Sequence, residues 1–115
     1  MTEWIDTHCH LDAAEFDPDR PAEHAAAYAA GVHQMVIPAV DAAHFESVRT
    51  CCQTYAGCLP AYGLHPLFIP HFKEQDLGTL HDWLSHNKAI AIGEIGLDFF
   101  APEGDPVRQK YFFAA

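Results

Sequence analysis

Residues 89–98 read Ala-Ile-Ala-Ile-Gly-Glu-Ile-Gly-Leu-Asp, an almost wholly apolar run that meets a carboxylate set between Gly93 and Gly96. Such a run predicts a strand over Ala89 to Ile95 that is covered on both faces, as strands of a parallel sheet are. Its abrupt polar turn puts Glu94 at the C-terminal end of that strand, where parallel barrels form their active sites. Glycines on either side permit close backbone approach around it.

The preceding sequence alternates short apolar runs with helical patterns. Trp4 to His8 reads as a first strand. Arg20 to Ala30 is Ala-rich and helical, with Asp17 or Asp19 as N-cap and Gly31 as the stop. His33 to Val40 is a second strand, and Pro38, which has no N–H for a ladder, belongs near its end or at a bulge. Asp41 caps a helix that runs through Phe45, Val48 and Cys52 to about Tyr55. Gly57 ends it, and Cys58 to Gly63 is the third strand. Leu64 to Gln75, with Pro66 and Pro70, reads as a long loop. Leu77, Leu80, Trp83 and Leu84 repeat at three and four and mark a third, amphipathic helix. Asp105 followed by Pro106 is an N-cap with proline at the first helical position, opening a fourth helix.

The order βαβαβαβα implies a parallel sheet with right-handed crossovers. Two architectures fit: a small doubly wound, flavodoxin-like sheet, or the N-terminal half of a (β/α)8 TIM-type barrel of four strand–helix units. A full barrel needs about 250 residues. This chain has 115 and runs to Phe112-Phe113-Ala114-Ala115 without a helix stop. The expectation is therefore one partial barrel over residues 1–115, cut within its fourth helix. Its unpaired sheet edges and apolar inner face would invite self-association.

Composition narrows the partners. Half of the residues are hydrophobic and 19% are charged, as in one ordinary globular domain. The net charge of -10 leaves little basic surface for holding nucleic acid through phosphate contacts alone. Bound metal ions could supply the missing positive field. No run approaches the roughly 20 apolar residues of a membrane span. The start Met-Thr-Glu-Trp-Ile-Asp has no basic leader, and the four cysteines show no Cys-x-x-Cys pair, so free thiols and a cytoplasmic location are expected. There is no phosphate-binding Gly-x-x-x-x-Gly-Lys loop, no dinucleotide Gly-x-Gly-x-x-Gly and no Gly-x-Ser-x-Gly elbow, and Ser47 and Ser85 are the only serines.

Nine histidines are the unusual count. His8 and His10 stand at i and i+2 of an extended segment, so both imidazoles face one side and can share one ion, while Cys9 faces the packing behind. Glu94 is the natural carboxylate partner. His65, after strand three in Tyr-Gly-Leu-His-Pro, shares the same end of the sheet and could reach a substrate oxygen. Asp98 either orients a ligand or caps its loop. Asp6 shares parity with His8, and Asp12 belongs to the loop leaving the site. His24, His33, His44, His71, His81 and His86 receive no role.

Three motifs, Asp6-Thr7-His8-Cys9-His10-Leu11-Asp12, Gly63-Leu64-His65-Pro66 and Gly93-Glu94-Ile95-Gly96-Leu97-Asp98, closely resemble the TatD-type metal-dependent hydrolases of the amidohydrolase-like barrel superfamily. Gln109 and the aromatics after it resemble that family's next helix. The resemblance implies that His8 and His10 bind one divalent metal and that Glu94 bridges two; His65 and Asp98, from their own positions in the chain, are taken as the candidate catalytic groups. It implies two divalent ions, zinc, manganese, magnesium or iron, that activate water against DNA or another phosphoester. It also implies further His and Asp ligands from strands beyond Ala115. The alternative is an inactive fragment, or a metal-binding or self-associating module, that lacks those ligands.

Overall fold

The computed structural model describes residues 2–115. Four strands, β1 (Trp4–Asp6), β2 (Val32–Pro38), β3 (Cys58–Tyr62) and β4 (Ala91–Ile92), form one parallel sheet in the order β1-β2-β3-β4. Between and after them run α1 (Arg20–Ala29), α2 (Phe45–Thr54), α3 (Glu74–His86) and α4 (Pro106–Ala114). Each strand neighbours the next in sequence, so the sheet curls in one direction as half of a TIM-type barrel. A doubly wound sheet would reverse direction from an internal strand.

Local chemistry sets the element ends. The Asp41 carboxylate accepts the His44 N–H at 3.1 Å and opens a short 3-10 turn (Ala42–His44) into α2. Asp105 does the same for α4, accepting the Arg108 N–H at 3.0 Å. Asp19 takes the N-cap position of α1 without a side-chain bond, and Asp17 instead pairs with Arg20 at 2.5 Å. Pro38 is the last residue of β2, where its missing donor costs nothing. Gly57 turns the chain into β3 with φ +82°, and a Cβ there would lie 2.0 Å from the His33 carbonyl oxygen.

The core lies between the middle of the sheet and α2. Phe45, Val48 and Cys51, at a spacing of three, bury one face of α2 against Met35, Ile37, Cys58 and Tyr62. Phe45, Tyr62 and Trp83 form an aromatic triangle with centroids 5.4–5.6 Å apart that joins α2, β3 and α3. All four cysteines are free. Burial raises the Cys9 thiol and pushes Cys52 up to about 12, so both are protonated packing groups rather than nucleophiles.

Several boundaries differ from those read in the sequence. Leu64 to Gln75 is not an unstructured loop: Pro66–His71 forms a 3-10 helix that buries Ile69, and α3 begins at Glu74. Proline at its first position suits a helical turn, which the count of prolines alone had argued against. The first strand stops at Asp6 rather than His8, and the third at Tyr62 rather than Gly63. The fourth strand contracts from 89–95 to Ala91–Ile92 and is not covered on both faces, since Ile92 is 56% exposed. Two causes act together. β4 pairs only with β3, and after the Gly93 N–H bonds to the Tyr62 carbonyl, the Glu94 N–H leaves that ladder for the Ala39 carbonyl beyond β2. The chain thus bends inward over the end of β3.

Candidate metal centre

That inward bend carries Glu94 to the C-terminal end of the sheet. Gly63 lies directly beneath it, and a Cβ there would meet the Glu94 carbonyl oxygen at 2.5 Å and the Gly93 carbonyl carbon at 2.7 Å. Both obstacles are backbone, so any side chain at residue 63 would lift the carboxylate from its place.

On the β1 side, the chain leaves the strand through a bend in which the Asp6 carboxylate accepts the His8 N–H at 3.0 Å. The Cys9 N–H then donates to the Val36 carbonyl at 3.0 Å, holding the backbone between the two histidines against β2. Cys9 packs on the core, and His8 and His10 converge at the sheet end although both lie beyond β1, in the segment that bends away after Asp6. Arg20 secures the following loop from α1. Its guanidinium donates to the carbonyls of Leu11 at 2.7 Å, Asp12 at 3.3 Å and Ala13 at 2.8 Å.

Three side chains converge. His8 Nε2 and His10 Nε2 are 3.1 Å apart, and each lies 3.4 Å from a different oxygen of Glu94. These donor atoms all fall within 4.8 Å of one another. Donors about 2.0–2.2 Å from a common ion in a tetrahedral shell stand about 3.3–3.6 Å apart. The His–His spacing and the distance of each imidazole from its own carboxylate oxygen are of that order, and two imidazoles with a carboxylate suit a divalent first-row cation in chemistry. Among the described residues the cluster contains these three donors.

His65 stands at the rim. The Leu67 N–H donates to its Nδ1 at 3.1 Å, which assigns the imidazole proton to Nε2. That nitrogen is 3.7 Å from Glu94 Oε1, beyond a direct hydrogen bond but directed at the carboxylate. Asp98 is placed differently. Its carboxylate accepts the N–H groups of Phe100 at 3.0 Å and Ala101 at 3.2 Å, so it caps its own loop. Asp12 accepts from the Ser47 hydroxyl at 3.1 Å and lines a groove of about 800 Å³ beside His10, together with Phe16, Asp17, Val40 and His44.

Gly63, Arg20 and Gln109 are the supports that sequence reasoning did not assign. Gln109 is completely buried in α4 and forms two hydrogen bonds to the backbone of Asp98. A buried amide in a helix has no signature in a single sequence, because its burial depends on a loop eleven residues away.

A parallel half-barrel that gathers a His-x-His pair and a glutamate at the C-terminal ends of its strands presents a candidate metal centre where barrels of this class place their active sites. Comparison with known proteins agrees. The family described as TatD related DNase matches residues 5–115, and the chain belongs to that family. It is 36% identical over 110 residues to the uncharacterized metal-dependent hydrolase YjjV of Escherichia coli K12, covering 94% of this chain and 42% of YjjV. The crystal structure of YjjV superposes with a TM-score of 0.89 over 96% of this chain and 44% of that one, at 34% identity. A Cronobacter turicensis protein named 3'-5' ssDNA/RNA exonuclease TatD is 33% identical over 95% of this chain and 41% of its own length. Human deoxyribonuclease TATDN3 is 34% identical over 92% of this chain and 43% of its own. The chain thus spans less than half the length of these curated relatives.

Proposed function

We propose that these 115 residues form the first metal-binding portion of a TatD-type phosphodiester hydrolase. In this reading His8, His10 and Glu94 hold one divalent ion, and hydrolysis of DNA or another phosphoester belongs to a protein that supplies further ligands for a second. The observation that carries it is the convergence of three donors, and three only, among the described residues. The ion when bound would supply Lewis acidity at the phosphoester. The chain's own groups orient it: Asp6 sets the His8 backbone, Gly63 seats Glu94, and the Nε2–H of His65 faces the carboxylate. His65 is proposed to touch substrate or the Glu94 carboxylate, and Asp98 to shape the loop beside it. The groove beside His10 is large enough for a nucleotide, and its Asp12, Glu15 and Asp17 leave the ion as the attraction for phosphate. A cytoplasmic location is part of the proposal, and the free thiols are in keeping with it; among the described residues no helix is long and apolar enough to cross a membrane.

The test is calorimetric titration of the purified chain with zinc, manganese and magnesium, run beside hydrolysis of single-stranded DNA. One ion bound per chain with no metal-dependent turnover is the expected result. Robust turnover lost on Glu94→Ala would show that this chain completes a catalytic site and would overturn the reading.

A second reading, self-association, is favoured by the open sheet. β1 and β4 each pair on one side only, and Trp4, Ile5, Ile90 and Ile92 are all more than half exposed. Two copies would bring the eight strands at which such a barrel closes. Sedimentation is expected to show a discrete dimer that Ile92→Lys dissociates; polydisperse aggregate or a persistent monomer would refute it.

A further inference from the structure

Glu94 is held from one side by its own N–H on Ala39, but what holds the chain after it is not apolar burial. Ile95, Leu97 and Phe99 are each about half exposed and Phe100 is 99% exposed. The loop from Glu94 to Asp105 is pinned instead by a polar clamp. Gln109 Oε1 accepts the Asp98 N–H at 2.7 Å, and Gln109 Nε2 donates to the Asp98 carbonyl at 2.8 Å. The side-chain amide pairs with the backbone as a neighbouring strand would, and both its polar atoms are used. Gly104 makes room for it, since a Cβ there would stand 2.8 Å from Gln109 Nε2. Phe112, one turn further on, is buried against Phe72 and anchors α4 to the 3-10 segment Pro66–His71. Arg108 adds a hydrogen bond to the Phe72 carbonyl at 2.6 Å. α4 is thus fixed to the body of the protein, and Gln109 transmits that rigidity to the loop.

We infer that Gln109 is a positioning residue for Glu94: its amide clamp on Asp98 immobilises the loop so that the carboxylate meets His8 and His10 in ligand geometry. The inference rests on the metal-binding reading above. Removing the amide leaves the part-buried N–H and carbonyl of Asp98 without these partners. Partners that orient a ligand change metal affinity by roughly 10- to 100-fold when they are lost.

The experiment compares the wild-type chain with Gln109→Met, which keeps volume but drops both bonds, and Gln109→Glu, which keeps the acceptor and drops the donor. Phe112→Leu serves as a control that loosens the same helix without touching the clamp. Cobalt(II) affinity and its absorption spectrum are read in parallel with amide exchange at residues 95–101 and in β3. Gln109→Met is expected to speed exchange at 95–101 but not in β3, to weaken cobalt binding by roughly 10- to 100-fold, and to alter the ligand-field bands. Gln109→Glu should weaken binding less, and Phe112→Leu, which loosens the helix but keeps both clamp bonds, should weaken it less than Gln109→Met. Faster exchange with unchanged cobalt affinity would overturn the inference, as would an equal loss in Phe112→Leu. A wild-type chain that takes up no cobalt would instead refute the metal-binding reading itself.

Discussion

Replacing Glu94 with alanine is expected to lower the divalent-metal affinity of this chain by at least about 100-fold, beyond the range for residues that merely orient ligands. Glu94 is the anionic member of the triad and spans it, one oxygen 3.4 Å from His8 and the other 3.4 Å from His10. Without it two neutral imidazoles remain, which leave the charge of the ion unbalanced in a partly closed site. Glu94→Gln separates charge from shape, because the amide retains the size and one oxygen donor but not the anion. It should fall between wild type and alanine. The fold should persist in both variants, since the side chain is only a rim of the packed interior and the backbone bond to Ala39 is untouched. Calorimetric titration with zinc, alongside far-UV circular dichroism, checks the pair. Unchanged affinity in Glu94→Ala would place the ion elsewhere.

Phe45→Ala is expected to cost about 3–5 kcal/mol of folding stability. The ring is 1% exposed and contacts both Tyr62 and Trp83, so its removal opens a cavity at the junction of α2, β3 and α3. Domains of this size have about 5–15 kcal/mol in total. A sheet whose outer strands are exposed stands at the lower end of that range, and the variant should be largely unfolded at 37 °C. Phe100→Ala is the matched control, being 99% exposed, and should shift the midpoint negligibly. Urea denaturation followed by tryptophan fluorescence distinguishes them, with Trp83 in the triangle reporting directly. Equal midpoints would mean that the aromatic triangle does not hold the core.

The cation's competition with phosphate repulsion explains why an acidic protein can belong to a nuclease family. A charge of -10 offers little basic surface for a nucleic-acid backbone, and in the function proposed above a divalent ion at the three converging donors would supply the positive charge instead.

Much of this was legible in the linear chain, for local reasons. Alternation of apolar runs with three-and-four periodicity gave the four strand–helix units, and the caps at Asp41 and Asp105 marked the helix starts that the structure shows. Parity in an extended segment paired His8 with His10; the two do meet, but beyond the end of β1, so a bend and not a strand brings them together. The family motifs placed Glu94 opposite them. Strand lengths were read less well, since an apolar run looks the same whether or not a neighbour covers it. Residues 89–95 shortened to Ala91–Ile92 when the backbone crossed to Ala39, a bond between positions 55 residues apart. Only tertiary structure could decide that crossing, the seat at Gly63 and the Gln109 clamp, because each depends on segments distant in sequence meeting at the end of the sheet. Local patterning picked out the candidate residues; the distances of 3.1–3.4 Å that bring three of them together exist only once the sheet curls.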